Sequence, residues 1–89
     1  MDMKSLLCRL SAASCVTGRE GAVSLTREAV KPFAPAAYLD RLGNLVAPVQ
    51  PARPGGLHLM VEAHLDEIGF AVTAVDDDGF LRVGRAGGP

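Results

Sequence analysis

The sequence predicts an α/β fold in which two helices precede about five short strands. Three observations support this prediction. Apolar residues recur at helical spacing over residues 3–30, short apolar runs separated by turn residues follow from residue 37, and an apolar run at residues 57–63 ends at His64. The change from a helical to a strand period gives an α/β or α+β arrangement.

Both helices are predicted from the spacing of apolar side chains. The first carries an apolar stripe at spacings of i, i+3, i+4 and i+7, formed by Met3, Leu6, Leu7 and Leu10. This helix should end near Ser14. Thr17 and Glu20 stand at capping-box spacing, so Thr17 should cap a second helix while Glu20 returns to the Thr17 amide. The second helix should run to about Val30 and end before Pro32.

Two short strands are predicted next, at residues 38–40 and 45–49. Gly43 and Asn44 lie in the turn between them, and Asn44 is the residue expected to tolerate a left-handed conformation there. A stretch rich in Pro and Gly, residues 48–56, then predicts an exposed loop.

Residues 57–64 are predicted to form the central strand, because a run that is apolar on both faces is typical of a strand buried in a mixed or parallel sheet. Residues 69–75 and 80–83 should pair as a hairpin around residues 76–79. The aspartates of that turn are contiguous and no Glu follows them, so a hairpin turn explains them better than an EF-hand calcium loop. A buried central strand needs helices over both faces of its sheet, and two helices are few for that. The sequence therefore predicts that the chain is the beginning of a larger domain.

Composition and charge limit the function classes. The 89 residues are 48% hydrophobic with a net charge of −1, so neither disorder nor a nucleic-acid-binding surface is expected. No apolar run approaches the roughly 18 residues of a membrane span, and the N-terminus lacks a signal-peptide pattern, which favours the cytoplasm. Cys8 and Cys15 match neither a metal knuckle nor a disulfide framework, so both should be reduced thiols, with Cys8 packed on the first helix.

The residues of the sequence best suited to metal binding or acid–base chemistry are His64 and Asp66. The apolar run brings His64 to the end of its strand, which is where the active sites of open α/β sheets lie. Alternate residues of a strand share a face, so His64 and Asp66 should project together. A histidine beside a carboxylate suits a metal ligand and a group that orients it. A purely structural histidine is the alternative.

Other ionisable residues have simpler explanations. Glu62 shares the strand parity of His64, and a buried carboxylate there needs a partner or a proton unless that face is partly exposed. Asp66 and Glu67 also fit exposed loop acids. His58 lies about 20 Å from His64 along a strand, too far to share one metal ion, and is expected at the surface.

With those residues in view, the chain resembles the start of an M42-family metallo-aminopeptidase. This family includes tetrahedral and glutamyl aminopeptidases and some members labelled endoglucanase. The most specific matching block is AHLDEIGF, residues 63–70. The other blocks are residues 6–11, 16–20, 38–47, 72–73, 78–83 and 87–88.

The resemblance implies a dinuclear site for zinc or cobalt in an α/β peptidase domain, with His64 as a metal ligand and Asp66 as the catalytic residue whose carboxylate supports the site. It implies that residues 1–68 are the N-terminal portion of the catalytic domain and that residues 69–89 start an inserted β-rich dimerisation domain. Peptide substrates and homo-oligomers as large as dodecamers are implied as well. Glu62 departs from the family pattern, which tends to have a small residue there.

The remaining family ligands and the general-base glutamate would lie beyond Pro89. The resemblance therefore implies that these 89 residues alone neither hydrolyse peptides nor bind zinc tightly. Two alternatives stay open: a shortened paralogue that joins a full-length homologue through exposed strand edges, and a degenerate gene remnant. Sugar hydrolysis has little support, because no pair of carboxylates is singled out.

Overall fold

The computed structural model describes residues 2–17, 21–50 and 53–88. Over these ranges two helices are followed by two antiparallel strand pairs. This mixed α/β arrangement confirms the predicted fold class in outline. No helix in the same ranges is long and apolar enough to cross a membrane.

Both helices form where the apolar spacing predicts them. Helix α1 (Met3–Ala12) begins after Asp2, whose carboxylate accepts a hydrogen bond from the Lys4 amide at 3.1 Å. This contact satisfies one of the backbone donors that every helix start leaves open. Helix α2 (Ala22–Val30) packs against α1.

The start of α2 differs from the prediction. Gly21 is its N-cap, and no side chain caps it, so the prediction that Thr17 caps this helix is wrong. The reason is that the Thr17 hydroxyl donates a hydrogen bond to the Asp66 carboxylate instead. The predicted return contact from Glu20 lies outside the described residues.

The first strand pair is short. Strands β1 (Tyr38–Leu39) and β2 (Leu45–Val46) pair antiparallel, as predicted, with fewer residues than expected. The Asp40 carboxylate closes the turn by accepting hydrogen bonds from the Asn44 amide at 2.9 Å and the Asn44 side chain at 2.8 Å. The left-handed residue of this turn is Gly43, with φ of 87°, so the prediction for Asn44 is wrong.

The second strand pair forms the predicted hairpin. Strands β3 (Gly69–Val75) and β4 (Leu81–Ala86) pair antiparallel, with a register shift between Val72 and Ala74. Asp76 closes the turn as Asp40 does, because its carboxylate accepts a hydrogen bond from the Phe80 amide at 2.8 Å. This contact explains the first of the three aspartates as a turn residue.

The predicted central strand is where the structure departs most from the sequence analysis. Residues 57–64, called the apolar segment below, form no strand in the described structure. They are also exposed rather than buried: Leu57 is 92% exposed and Val61 is 85% exposed. A strand gains its hydrogen bonds and its burial from neighbours, and the described residues place no strand beside this segment.

Little of the described chain is buried. The buried residues there are Cys15, Ala22 and Ala34, all small, and the large apolar side chains of β3 and β4 are largely exposed. Cys8 is exposed, so the prediction that it packs on the first helix is wrong, although both cysteines are free thiols as expected. Of these three buried residues, Cys15 contacts the stretch that carries the predicted site, through the Leu65 carbonyl.

Candidate functional site

A single parallel bridge joins the segment after α1 to the segment that carries Asp66. The Glu67 amide donates to the Cys15 carbonyl at 2.7 Å, and the Thr17 amide donates to the Glu67 carbonyl at 3.3 Å. These two bonds hold residues 15–17 beside residues 65–67. The candidate site is therefore built from two stretches of chain about 50 residues apart in sequence.

Close packing at Gly69 and a thiol contact at Cys15 support the bridge. Cys15 is only 4% exposed, and its thiol donates a hydrogen bond to the Leu65 carbonyl. At Gly69, a Cβ atom would lie only 2.6 Å from Cγ2 of Val16, so a glycine is needed for the two segments to approach this closely. The backbone on both sides of Asp66 is thus fixed against residues 15–17.

His64 and Asp66 lie together, but not on a shared strand face: residues 57–64 form no strand in the described structure, so the prediction that His64 stands at a strand end is wrong. Nδ1 of His64 is 2.8 Å from the backbone carbonyl oxygen of Asp66 and 3.5 Å from Oδ1 of its carboxylate. A carbonyl oxygen only accepts hydrogen bonds, so Nδ1 must carry the proton. In the neutral ring this leaves the Nε2 lone pair free, which is the state in which histidine binds a metal.

The Asp66 carboxylate is held on its other side by Thr17. The Thr17 hydroxyl donates to Oδ2 of Asp66 at 2.7 Å. This hydrogen bond is the main cause that lowers the pKa of Asp66 below its ordinary value, and the neighbouring His64 lowers it further. Asp66 is therefore an anion at neutral pH, with one oxygen turned to the hydroxyl and the other toward the imidazole.

The arrangement fits part of a metal site. The His64 side chain is 86% exposed, so Nε2 is open to a ligand, while the Asp66 side chain is 36% exposed. Among the described residues, no group of three or more His, Cys, Asp or Glu side chains could hold a metal ion. These ranges thus offer one histidine with its tautomer fixed and one oriented carboxylate, which is fewer ligands than a catalytic zinc normally takes from a protein.

The other predicted candidates stay outside this cluster. Glu62 is exposed, which removes the need for a buried partner or a proton and agrees with a partly exposed face. His58 is exposed, as expected. Glu67 contributes its backbone to the bridge.

Sequence reasoning missed Thr17 and Cys15 as parts of the site. A threonine three residues before a glutamate matches the local pattern of a helix cap, so the sequence predicts that role for Thr17. Cys15 had no paired partner in the sequence and was expected only as a reduced thiol. Both contacts span about 50 residues, and no local spacing signals them.

Comparison with known proteins adds independent information. A family model described as M42 glutamyl aminopeptidase matches residues 43–89, slightly more than half of the chain. The matched region includes the apolar segment, His64, Asp66 and the β3–β4 hairpin. Residues 15–17, which complete the candidate site, lie before it.

Individual relatives are similar over more of the chain. A provisionally named aminopeptidase of Acetivibrio thermocellus is 40% identical over 88 residues, which is 98% of this chain and 26% of that protein. The lysyl aminopeptidase of Pyrococcus furiosus is 39% identical over 75 residues, 82% of this chain and 21% of that enzyme. A provisionally named Escherichia coli K12 aminopeptidase, SgcX, is 50% identical over 52 residues, 58% of this chain and 14% of that protein. The chain thus spans about a quarter or less of these relatives.

Proposed function

Because the chain belongs to the M42 glutamyl aminopeptidase family, we propose that it supplies the N-terminal part of a metal-dependent aminopeptidase. The activity proposed is hydrolysis of the first peptide bond of a peptide, releasing its N-terminal residue. The observation that carries the proposal is the fixed tautomer of His64, whose Nδ1 proton is bonded to the Asp66 carbonyl while Nε2 stays open. The names of the relatives support the reaction class.

The proposed cofactor is a pair of divalent ions, zinc or cobalt. His64 would hold one ion through Nε2, and Asp66 is the catalytic carboxylate proposed to support the site. When bound, ions of this kind activate water as a nucleophile and polarise the scissile carbonyl. The chain's own contribution is to fix the imidazole through the Asp66 carbonyl and to keep a negative charge beside it.

The described residues provide only part of such a site. A catalytic zinc normally takes three protein ligands, and His64 with Asp66 gives at most two. We therefore propose that the 89 residues alone are inactive and bind zinc weakly, and that the remainder of the peptidase or homologous subunits supply the other ligands and the general base.

The proposed domain division places residues 1–68 in the catalytic domain and residues 69–89 at the start of a β-rich dimerisation domain. Support comes from the β3–β4 hairpin, which begins at Gly69 directly after the candidate site and carries large exposed apolar side chains such as Phe70 and Val72. Exposed apolar surface of this kind marks interaction sites. The assembly proposed is a homo-oligomer as large as a dodecamer, located in the cytoplasm.

The proposed function is tested with the native gene product at its natural length. We expect it to release the N-terminal residue from peptides with a free amino terminus and to lose this activity with a strong chelator. The variant His64→Ala should reduce kcat/KM by more than about 100-fold, beyond the range of residues that only support a ligand. The matched control is His58→Ala, which removes an exposed histidine outside the cluster and should leave activity unchanged. Full activity in His64→Ala would refute the proposal.

A second candidate, an assembly module without catalysis, is favoured by the exposure of the apolar segment. Leu59 is 81% exposed and Met60 is 83% exposed, and neither lies in a strand of the described structure. Such a segment is suited to adding a strand to a homologous subunit. This candidate predicts that the purified chain co-elutes with a full-length homologue in gel filtration and shows no peptidase activity of its own.

A further inference from the structure

Thr17 makes a contact that neither the family match nor the predicted helix cap explains. Its hydroxyl lies 2.7 Å from Oδ2 of Asp66, and its amide is bonded to the Glu67 carbonyl at 3.3 Å. The residue therefore holds both the backbone and the side chain of the stretch that follows His64. It does so from a separate part of the chain, so the contact forms only when the two segments are folded together.

The hydrogen bond from Thr17 sets the orientation of the Asp66 carboxylate. With Oδ2 bonded to Thr17, the other oxygen, Oδ1, lies 3.5 Å from Nδ1 of His64, and the Asp66 carbonyl lies 2.8 Å from the same nitrogen. The terminal torsion of an aspartate is broad, so without the hydroxyl the carboxylate would rotate among several orientations. The hydroxyl selects the orientation in which Asp66 faces the imidazole.

The Thr17 hydroxyl is itself confined by Gly87. A Cβ atom on Gly87 would lie 2.8 Å from Oγ1 of Thr17 and 3.5 Å from Cγ2 of Ile68. Gly87 also has φ of 79°, a conformation that favours glycine. Gly87, which directly follows β4, therefore lies beside the hydroxyl, and a residue with a Cβ would not fit there while Thr17 keeps this position.

We propose that Thr17 is a positioning residue of the metal site, acting through Asp66 to hold His64 ready for a divalent ion. The inference rests on the proposed function, since it requires that His64 bind a metal. Thr17 itself would contact neither the metal nor the substrate. Gly87 completes the arrangement by leaving room for the hydroxyl in this one position.

The test compares Thr17→Ser with Thr17→Ala in the native gene product. The two variants differ only in the hydroxyl, and the probe is Zn²⁺ alone, titrated in competition with a fluorescent zinc chelator. We expect Thr17→Ala to weaken zinc affinity by about 10–100-fold, the usual effect of removing a group that orients a ligand. Thr17→Ser should stay within about threefold of the wild type. Thermal unfolding of both variants shows whether a loss of zinc affinity is accompanied by a loss of stability.

Two more variants, Thr17→Val and Gly87→Ala, keep the inference testable if Thr17→Ala does not fold. Thr17→Val keeps the branched shape and loses only the donor, so it should bind zinc as weakly as Thr17→Ala. Gly87→Ala should also weaken binding, because its Cβ would displace the hydroxyl. Its control is Gly79→Ala, which meets the same backbone strain at φ of 83° but has no atom within 4 Å of the added Cβ.

The outcomes separate the inference from the proposed function. If His64→Ala loses zinc while Thr17→Ala and Thr17→Val bind it as tightly as the wild type, the positioning role is refuted and the proposed function stands. Equal weakening in Thr17→Ser and Thr17→Ala would also refute it, because the hydroxyl would not be the cause. If His64→Ala retains full zinc affinity, both the proposed function and the inference fail.

Discussion

The substitution Gly69→Ala tests the close approach on which the candidate site depends. The added Cβ would lie 2.6 Å from Cγ2 of Val16 and 3.3 Å from its Cγ1. Carbon atoms in contact normally lie about 3.5–4.0 Å apart, so Cγ2 would have to retreat by roughly 1 Å. Valine is stiff about χ1, so the backbone of residues 15–17 must move with it.

The expected cost follows from this overlap. Overpacking costs about 1–3 kcal/mol. Replacing a glycine also lowers the conformational entropy of the unfolded chain, which offsets about 0.4–1 kcal/mol, so values in the middle of these ranges give a net cost of about 1–2 kcal/mol. The substitution should therefore destabilise the bridge between residues 15–17 and 65–67 by this amount. A cost of that size opens a local contact about 5–30 times more often.

Hydrogen exchange at the Glu67 amide measures that opening directly, because this amide donates to the Cys15 carbonyl at 2.7 Å. We expect Gly69→Ala to speed its exchange by about 5–30-fold. Adding Val16→Ala should restore slow exchange, since the nearest Val16 atom that remains is Cβ at 3.6 Å, an ordinary contact. The control Gly88→Ala, with no atom within 4 Å of the added Cβ, should change little. Unchanged exchange in Gly69→Ala, or no rescue by Val16→Ala, would refute the reasoning.

Two further predictions concern other contacts. Cys15→Ala should destabilise the bridge between residues 15–17 and 65–67 by about 1 kcal/mol, because the Leu65 carbonyl loses its donor. Cys15→Ser keeps a donor, so exchange at the Glu67 amide should stay close to the wild-type rate. Hydrogen bonds from Asn44 lower the pKa of Asp40 below its ordinary value of 3.8. The contribution of Asp40 to stability is therefore present above pH 3.8 and is lost as the pH falls through the lower folded value. The protection factor of the Asn44 amide, which is the intrinsic exchange rate at a given pH divided by the measured rate, should fall in that acid range in the wild type and at neutral pH in Asp40→Ala. The exposed turn control Asp77→Ala should match the wild type, and equal protection factors in the two variants would contradict the assignment.

The sequence predicts the local elements of this fold well, because their causes are local. The apolar stripe of α1 and the strand–turn–strand pattern around Asp76 each depend on residues close together in the chain. Asp40 and Gly43 define the first turn in the same way. In that turn, the left-handed conformation predicted for Asn44 is adopted by the neighbouring Gly43, for which its steric cost is lower.

The rest depends on contacts between distant residues. Thr17 fits a helix cap by its local spacing, yet its hydroxyl binds Asp66, 49 residues away. The apolar segment has the composition of a buried strand but is exposed, because burial requires neighbours that the described residues do not place beside it. The contact between His64 and Asp66 is local, at a spacing of two residues, but it forms without the strand from which it is predicted.

The metal content of the native gene product most directly tests the claim that His64 and Asp66 belong to a metallo-aminopeptidase site. Elemental analysis of protein purified without chelators should find two divalent ions per chain in the wild type and in His58→Ala. We expect His64→Ala to lose at least one of them. A wild-type protein that binds no divalent ion, or a His64→Ala variant with unchanged metal content, would contradict the claim.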